Sequence, residues 1–175
     1  MNPELLLKEM KSIEYGWLDK SGNIHKKIDK DVFMSLYTLQ TPEEVRKNSI
    51  GLCWDQVELE REFFEDSDIL HKVLMIIYYD NDKMFNHTFL TFEDNGKFYW
   101  FENSWENQKG IHEFNTYEEL LNHIKKFFIV DFIKIDEYKD EYIKIIEYVK
   151  PIFKIGCMEF YMHCLKGKEY KLSSH

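Results

Sequence analysis

The run Ser49-Ile50-Gly51-Leu52-Cys53-Trp54-Asp55-Gln56-Val57-Glu58-Leu59-Glu60 decides how the chain is read. Gly51 breaks the backbone, and strong helix formers follow to about Phe64. Cys53 therefore stands at the leading end of a helix. A thiol is a weak nucleophile until it ionises. Two devices favour the thiolate, the positive end of a helix dipole and a neighbouring imidazole. Position supplies the first to Cys53, and the rest of the chain must supply the second. Asp55, Glu58 and Glu60 on this helix read as a solvated face, with Glu58 as the one that would otherwise anchor the preceding loop.

Upstream, Pro3 to Glu14 reads as an amphipathic helix with Leu6, Met10 and Ile13 near helical spacing, ended by Gly16. Asp19 to Asn23 is turn-forming. Thr41-Pro42-Glu43-Glu44 carries a capping-box start, and its helix runs to about Asn48. Downstream, Leu74–Tyr79 and His87–Phe92 read as strands of β-branched and aromatic residues. Asp94-Asn95-Gly96 is a hairpin turn, and Phe98–Phe101 opens a third strand. Thr116-Tyr117-Glu118-Glu119 starts a helix to about Phe127. Ile129–Ile135 reads as a further strand, Asp140–Val149 as a helix stopped before Pro151, and Gly156–Leu165 as a last helix. The tail from Lys166 to His175 reads as frayed. Helices, then a strand meander with tight turns, then helices make an α+β chain on an antiparallel sheet.

Composition agrees with one packed domain over residues 1–175. The chain has 175 residues, 44% hydrophobic and 17% aromatic, which supports a core rather than disorder. No Gly/Ser/Pro linker, repeat or low-complexity tract divides it. The formal net charge is −9, and no basic face is visible, which argues against nucleic acid. No stretch reaches the ~20 apolar residues of a membrane span. Met1-Asn2-Pro3-Glu4 does not open a secretory signal, so a cytoplasmic protein with reduced thiols is expected. Cys157 and Cys164 lack zinc-ligand spacing and read as buried thiols. No metal or organic cofactor is implied.

His87 begins a strand 34 positions after Cys53, where a side chain projects into a cleft at the sheet rim. A third group should hold the other imidazole nitrogen. With a two-residue turn at Asn95-Gly96, position 87 faces 104, and Glu102 shares its face one diagonal step away. A three-residue loop instead brings Asn103 opposite. Glu102 is favoured because a carboxylate better stabilises an imidazolium. The backbone N–H of Cys53 is the first oxyanion donor, with Gln40 or Trp17 as the second. Trp54 and Trp105 are expected beside the cleft. His71, His112, His123 and His163 read as structural.

Gly51-Leu52-Cys53-Trp54 resembles the Gly-x-Cys-Trp run of papain-family nucleophiles. The order Cys, His on a strand, then an acid or Asn on the next strand resembles that of transglutaminase-like proteins. His87-Thr88-Phe89-Leu90 and Tyr99-Trp100-Phe101-Glu102 resemble that family's His and Asp strands. Glu102-Asn103-Ser104-Trp105 with Gly110-Ile111-His112 is similar to bacterial transglutaminase-like proteins. The resemblance covers roughly Tyr15 to Phe127, leaving 128–175 as an extension, and departs where the family usually has Asp. It implies a papain/transglutaminase-like core and thiol-dependent acyl transfer or hydrolysis on a protein, peptide or small amide. Water is the expected acceptor. The rivals are an inactive binding module on the same fold, an acyl-CoA-dependent N-acetyltransferase with the same Cys–His–acid order, and a purely structural or interaction protein.

Overall fold

The computed structural model describes residues 2–80, 83–133 and 138–172. It is a mixed α+β fold built on a six-stranded antiparallel sheet with one long helix packed across it. The chain opens with α1 (Pro3–Met10), the two-residue strands β1 (Glu14–Tyr15), β2 (Trp17–Leu18) and β3 (Ile24–His25), and α2 (Lys30–Leu36). Then come α3 (Pro42–Asn48), β4 (Ile50–Gly51) and α4 (Cys53–Asp66). The meander follows as β5 (His71–Asp80), β6 (Lys83–Asp94), β7 (Lys97–Glu102) and β8 (Gly110–Phe114). The chain then runs through α5 (Tyr117–Phe128), β9 (Ile143–Glu147), α6 (Cys157–Cys164) and β10 (Lys168–Tyr170).

The sheet order is β10-β9-β5-β6-β7-β8. β5 is central and buried from Val73 to Tyr78, so it reads as a continuous apolar run. One face of the sheet packs on α4, where Val73, Met75, Leu90, Phe92 and Phe101 meet Val57 and Phe64. The other packs on α5, where Leu74, Ile76, Phe89 and Trp100 meet Leu120, Leu121 and Ile124. Alternation along each strand makes this two-sided sandwich. The Thr41 and Thr116 capping boxes start α3 and α5 as expected.

Three readings of the C-terminal third change. Ile143–Glu147, expected as helix, is β9, because the exposed flank of the apolar β5 captures a run with Ile143, Ile145 and Ile146. Ile129–Ile133, expected as strand, is a π-helical turn extending α5; residues 134 and 135 of that expected strand lie outside the described residues, as do 173–175 of the tail. Of that tail, Lys168–Tyr170, expected to fray, forms β10 against β9. The boundary drawn after Phe127 is no structural boundary, since β9 lies directly beside β5 and Phe160 of α6 packs on Trp54 at 4.8 Å.

The solvated face expected on α4 is also corrected. Asp55 and Glu58 are 0% exposed and Glu60 is 3% exposed. The helix is enclosed by the sheet, by α3 and by the segment from Tyr148 to α6, so it is interior from Cys53 to Arg61, and only Glu62 and the last turn at Glu65 and Asp66 reach solvent. Glu58 does not anchor the preceding loop. It accepts from Arg61 Nε at 2.8 Å and from the Tyr148 hydroxyl at 3.1 Å, and Arg61 reaches the Tyr148 carbonyl. Removing one partner of such a buried pair would strand a charge.

Candidate active site

The loop before Cys53 is held by Asp55. Its Oδ2 accepts the Leu52 N–H at 2.9 Å, and its Oδ1 accepts the Gln40 N–H at 2.9 Å and the Tyr37 hydroxyl at 2.8 Å. One carboxylate thus closes the helix N-terminus and ties two upstream segments to it. Burial outweighs these donors and pushes the Asp55 carboxyl up to about 6. Gly51 is required here by close approach. A Cβ on it would lie 3.0 Å from Asp55 Cβ and 3.3 Å from Gln56 Cγ. Cys53 is then the first helical residue of α4, 5% exposed, at the dipole's positive end.

The strand register positions the imidazole. The Asn95-Gly96 turn has two residues, with Asp94 opposite Lys97. Pairing of β6 with β7 ends at Leu90 and Phe101, so β6 runs on past its neighbour and carries His87 at that open end. His87 Nε2 lies 2.7 Å from Glu102 Oε2, with both side chains buried. The other ring nitrogen, Nδ1, does not meet this carboxylate, and Cys53 is near enough for its charge to bear on the imidazole. Glu102 Oε1 accepts from the Ser104 N–H and hydroxyl and from the Trp105 N–H. Both oxygens of this carboxylate are therefore engaged, which fixes the imidazole in turn.

Burial disfavours a charged imidazole, but the Glu102 charge outweighs it and raises His87 to about 10. Burial likewise disfavours the ionised Glu102. His87 and the donors around Oε1 prevail and hold it below the usual carboxylate range. The two form a buried imidazolium–carboxylate pair facing the thiol.

A cleft of about 610 Å³ opens over His87, lined also by Tyr15, Gln56, Asn103, Trp105 and Phe132; Cys53 and Glu102 lie behind that lining. Trp105 stands edge-on to His87 with centroids 5.1 Å apart, its indole N–H bound to Asp131. A shallower hollow of about 810 Å³ lies between β8 and α5, away from Cys53 and His87. It contains no nucleophile.

Four expected site residues take other roles. Asn103 does not reach His87; its amide donates to the Met10 carbonyl and to Gln56 Oε1, because the two-residue turn gives it the opposite parity from Glu102. Gln40 is 1% exposed and spends its amide N–H on the Ile50 carbonyl, so it is a loop tie and not a cleft donor. Trp17 is fully buried, stacked on His25 with its indole bound to the Lys27 carbonyl. Trp54 braces the site from below, its indole N–H donating to Asn86 Oδ1 at 2.9 Å, which ties α4 to β6 one residue before His87. Cys157 and Cys164 are buried, and burial pushes the Cys157 thiol up to about 11. Among the described residues, no cluster of His, Cys, Asp or Glu could hold a metal ion, and no helix is long and apolar enough to cross a membrane.

Tyr15 was not anticipated. The parallel pairing of β1 with β4 sets Tyr15 beside Gly51. The residue is 48% exposed and lines the cleft, with Cys53 close enough to influence its hydroxyl. Burial of that end and the nearby Cys53 push the phenol well above its ordinary range. Nothing in the local sequence marks Tyr15, because the contact depends on a two-residue pairing between distant segments.

No protein-family model matches the chain, and a search of curated proteins finds no match.

Proposed function

We propose that Cys53, His87 and Glu102 form the catalytic triad of a thiol enzyme that transfers or hydrolyses an acyl group from an amide substrate. The observation that carries the reading is the buried His87–Glu102 pair, held at 2.7 Å in the neighbourhood of a helix-leading thiol. The same arrangement supports a papain/transglutaminase-like core. The nucleophile heads a helix packed on an antiparallel sheet, and the His and the acid lie on consecutive strands.

The reactive form is the thiolate–imidazolium pair. The sulfur attacks the substrate carbonyl carbon, a C–S bond forms, and the oxyanion is received by the Cys53 backbone N–H and the Tyr15 hydroxyl. Collapse breaks the C–N bond, with the His87 proton passing to the departing amine, and leaves a thioester. Water then attacks the thioester while His87 takes its proton. The C–S bond breaks, the acid departs and the thiol returns. Glu102 keeps the imidazole oriented and its charge matched throughout.

A second reading, a cleft that binds without chemistry, draws on the 5% exposure of Cys53 and on Tyr15 standing near it. Carbamidomethylation by iodoacetamide, followed by peptide mass spectrometry, separates the two. The enzyme reading expects Cys53 to react well ahead of Cys157 and Cys164, His87→Ala to suppress that reaction, and Tyr15→Phe to accelerate it. A Cys53 that reacts no faster than an ordinary thiol, unchanged in His87→Ala, would overturn it.

A further inference from the structure

The two flanks of His87 differ. Along β6 it shares a strand face with Phe85 and Phe89, whose rings belong to the α5 side of the sheet. Cys53 belongs to the α4 side. The imidazole therefore has the sulfur towards one layer and a pair of aromatic rings towards the other. Trp105 stands edge-on to it at 5.1 Å, and the Phe132 ring lies 5.7 Å away, tilted by 33°. These two rings meet each other at 4.7 Å and 77°.

Both rings are held in place. The Trp105 indole N–H is spent on Asp131 Oδ2 at 2.9 Å, and Phe132 stacks on Phe128 at 5.2 Å. The π-helical turn that carries Asp131 and Phe132 is pinned by Ile133, 2% exposed. Both rings line the 610 Å³ cleft, and Phe132 is half-buried. The charged residues of the same lining, Lys11, Glu14, Glu106 and Lys109, are exposed. Glu106 pairs with Lys109 at 2.6 Å, and Glu14 pairs with Lys26. The wall beside the imidazole is thus apolar and planar, while the charges stand in solvent.

In the proposed reaction His87 gives its proton to the departing nitrogen, which places that nitrogen within about 3 Å of the ring. The acyl carbon is bonded to sulfur on the α4 side. The group carried by the nitrogen then extends over the other flank of the imidazole, where Trp105 and Phe132 stand. A flat apolar group gains both area burial and ring contacts there. We infer that Trp105 and Phe132 form the leaving-group subsite and that Phe132 determines specificity for an amide whose nitrogen carries an aromatic group. In a peptide this is an aromatic residue directly after the scissile bond. The inference rests on the proposed triad and deepens it.

The test runs the step in reverse on the full chain. 4-Nitrophenyl acetate acetylates Cys53 with release of 4-nitrophenol. An added amine then takes the acetyl group: a C–N bond forms, the C–S bond breaks, the amine's proton passes to His87 and the thiolate returns. The amine enters by the path a leaving amine would take. L-phenylalaninamide and glycinamide compete for the acetyl-enzyme, the two products are counted by mass spectrometry, and their ratio is corrected by that of the same pair towards a free acetyl thioester. Wild type should favour phenylalaninamide by about tenfold or more, and Phe132→Ala should bring the corrected ratio to within about threefold of unity. A wild type without preference, or a folded Phe132→Ala that keeps it, would overturn the inference. The Cys53→Ala chain reads the subsite without chemistry: phenylalaninamide, and not glycinamide, should move the Trp105 indole N–H resonance saturably. That titration decides if Cys53 is not acetylated, an outcome that removes the triad reading. A saturable shift then retains the aromatic-amine subsite, and its absence overturns it.

Discussion

Replacing Glu102 by Gln removes the charge that holds His87 protonated while keeping the shape of the side chain. The contact is 2.7 Å and buried on both sides. At an effective dielectric of about 20, unit charges at such a distance attract by on the order of 4–6 kcal/mol, or roughly three to four pH units of imidazole titration. In the wild type His87 is raised from 6.5 to about 10. Without Glu102, burial lowers the imidazole and Cys53 alone still favours its charge, so His87 in Glu102→Gln should titrate well below 10, towards about 6.5. The stability consequence has a definite sign. A raised imidazole contributes stability that is fully present below about pH 6.5 and is lost as pH rises through about 10. At 1.36 kcal/mol per pH unit its ceiling is on the order of 5 kcal/mol. Long-range proton–nitrogen NMR of the imidazoles reads the titration, with His87→Gln identifying the resonance. Urea unfolding at pH 6 and pH 9 reads the stability. The wild type should lose stability between these values, and Glu102→Gln should lose far less over the same interval. A wild-type His87 titrating near 6.5, or a Glu102→Gln protein whose His87 still titrates near 10, would refute the reasoning.

Asp55→Asn should cost about 2–3 kcal/mol by weakening the three bonds that hold the nucleophile loop, measured by urea unfolding at pH 7. The Asp55 carboxyl is raised from 3.8 to about 6, so its own linkage stabilises the fold as pH falls from 6 towards 4, by on the order of 3 kcal/mol. Over that interval Cys53 alkylation should decline as the Leu52 acceptor is lost, and Asp55→Asn should flatten the stability slope. Gly51→Ala must push Asp55 or Gln56 aside and should destabilise by about 1–3 kcal/mol while slowing Cys53 alkylation; an unchanged thermal midpoint would contradict the close approach. Arg61→Met leaves Glu58 buried without its partner and should cost about 3–5 kcal/mol. The double variant Arg61→Met, Glu58→Leu should recover much of that loss in the same denaturation assay.

Much of the framework was legible in local patterns. The Thr41 and Thr116 capping boxes and the alternating aromatic strands gave α3, α5 and the β5–β6–β7 meander, because caps and strand faces are satisfied by near neighbours. Gly51 followed by helix formers marked Cys53 as a helix-leading residue for the same local reason. The proximity of Glu102 to His87 was legible only conditionally, through the turn length at Asn95-Gly96, since one residue more would have reversed the parity.

What the chain's local order alone determined is therefore the set of caps, turns and strand periods that put a thiol at a helix start and an imidazole on a strand, although that strand begins at Lys83 and not at His87 as expected, because Lys83–Asn86 pair on with β5. Tertiary packing decided the rest. It drew Ile143–Glu147 into the sheet instead of a helix, because β5 offered an unpaired edge. It enclosed Asp55, Glu58 and Glu60, whose charges look like a wet surface in sequence, because α4 is covered all round from Cys53 to Arg61. It brought Tyr15 to the sulfur across a two-residue pairing. Burial and partner choice are properties of the whole interior, and residues far apart in the chain supply the groups that cover a side chain or pair its charge.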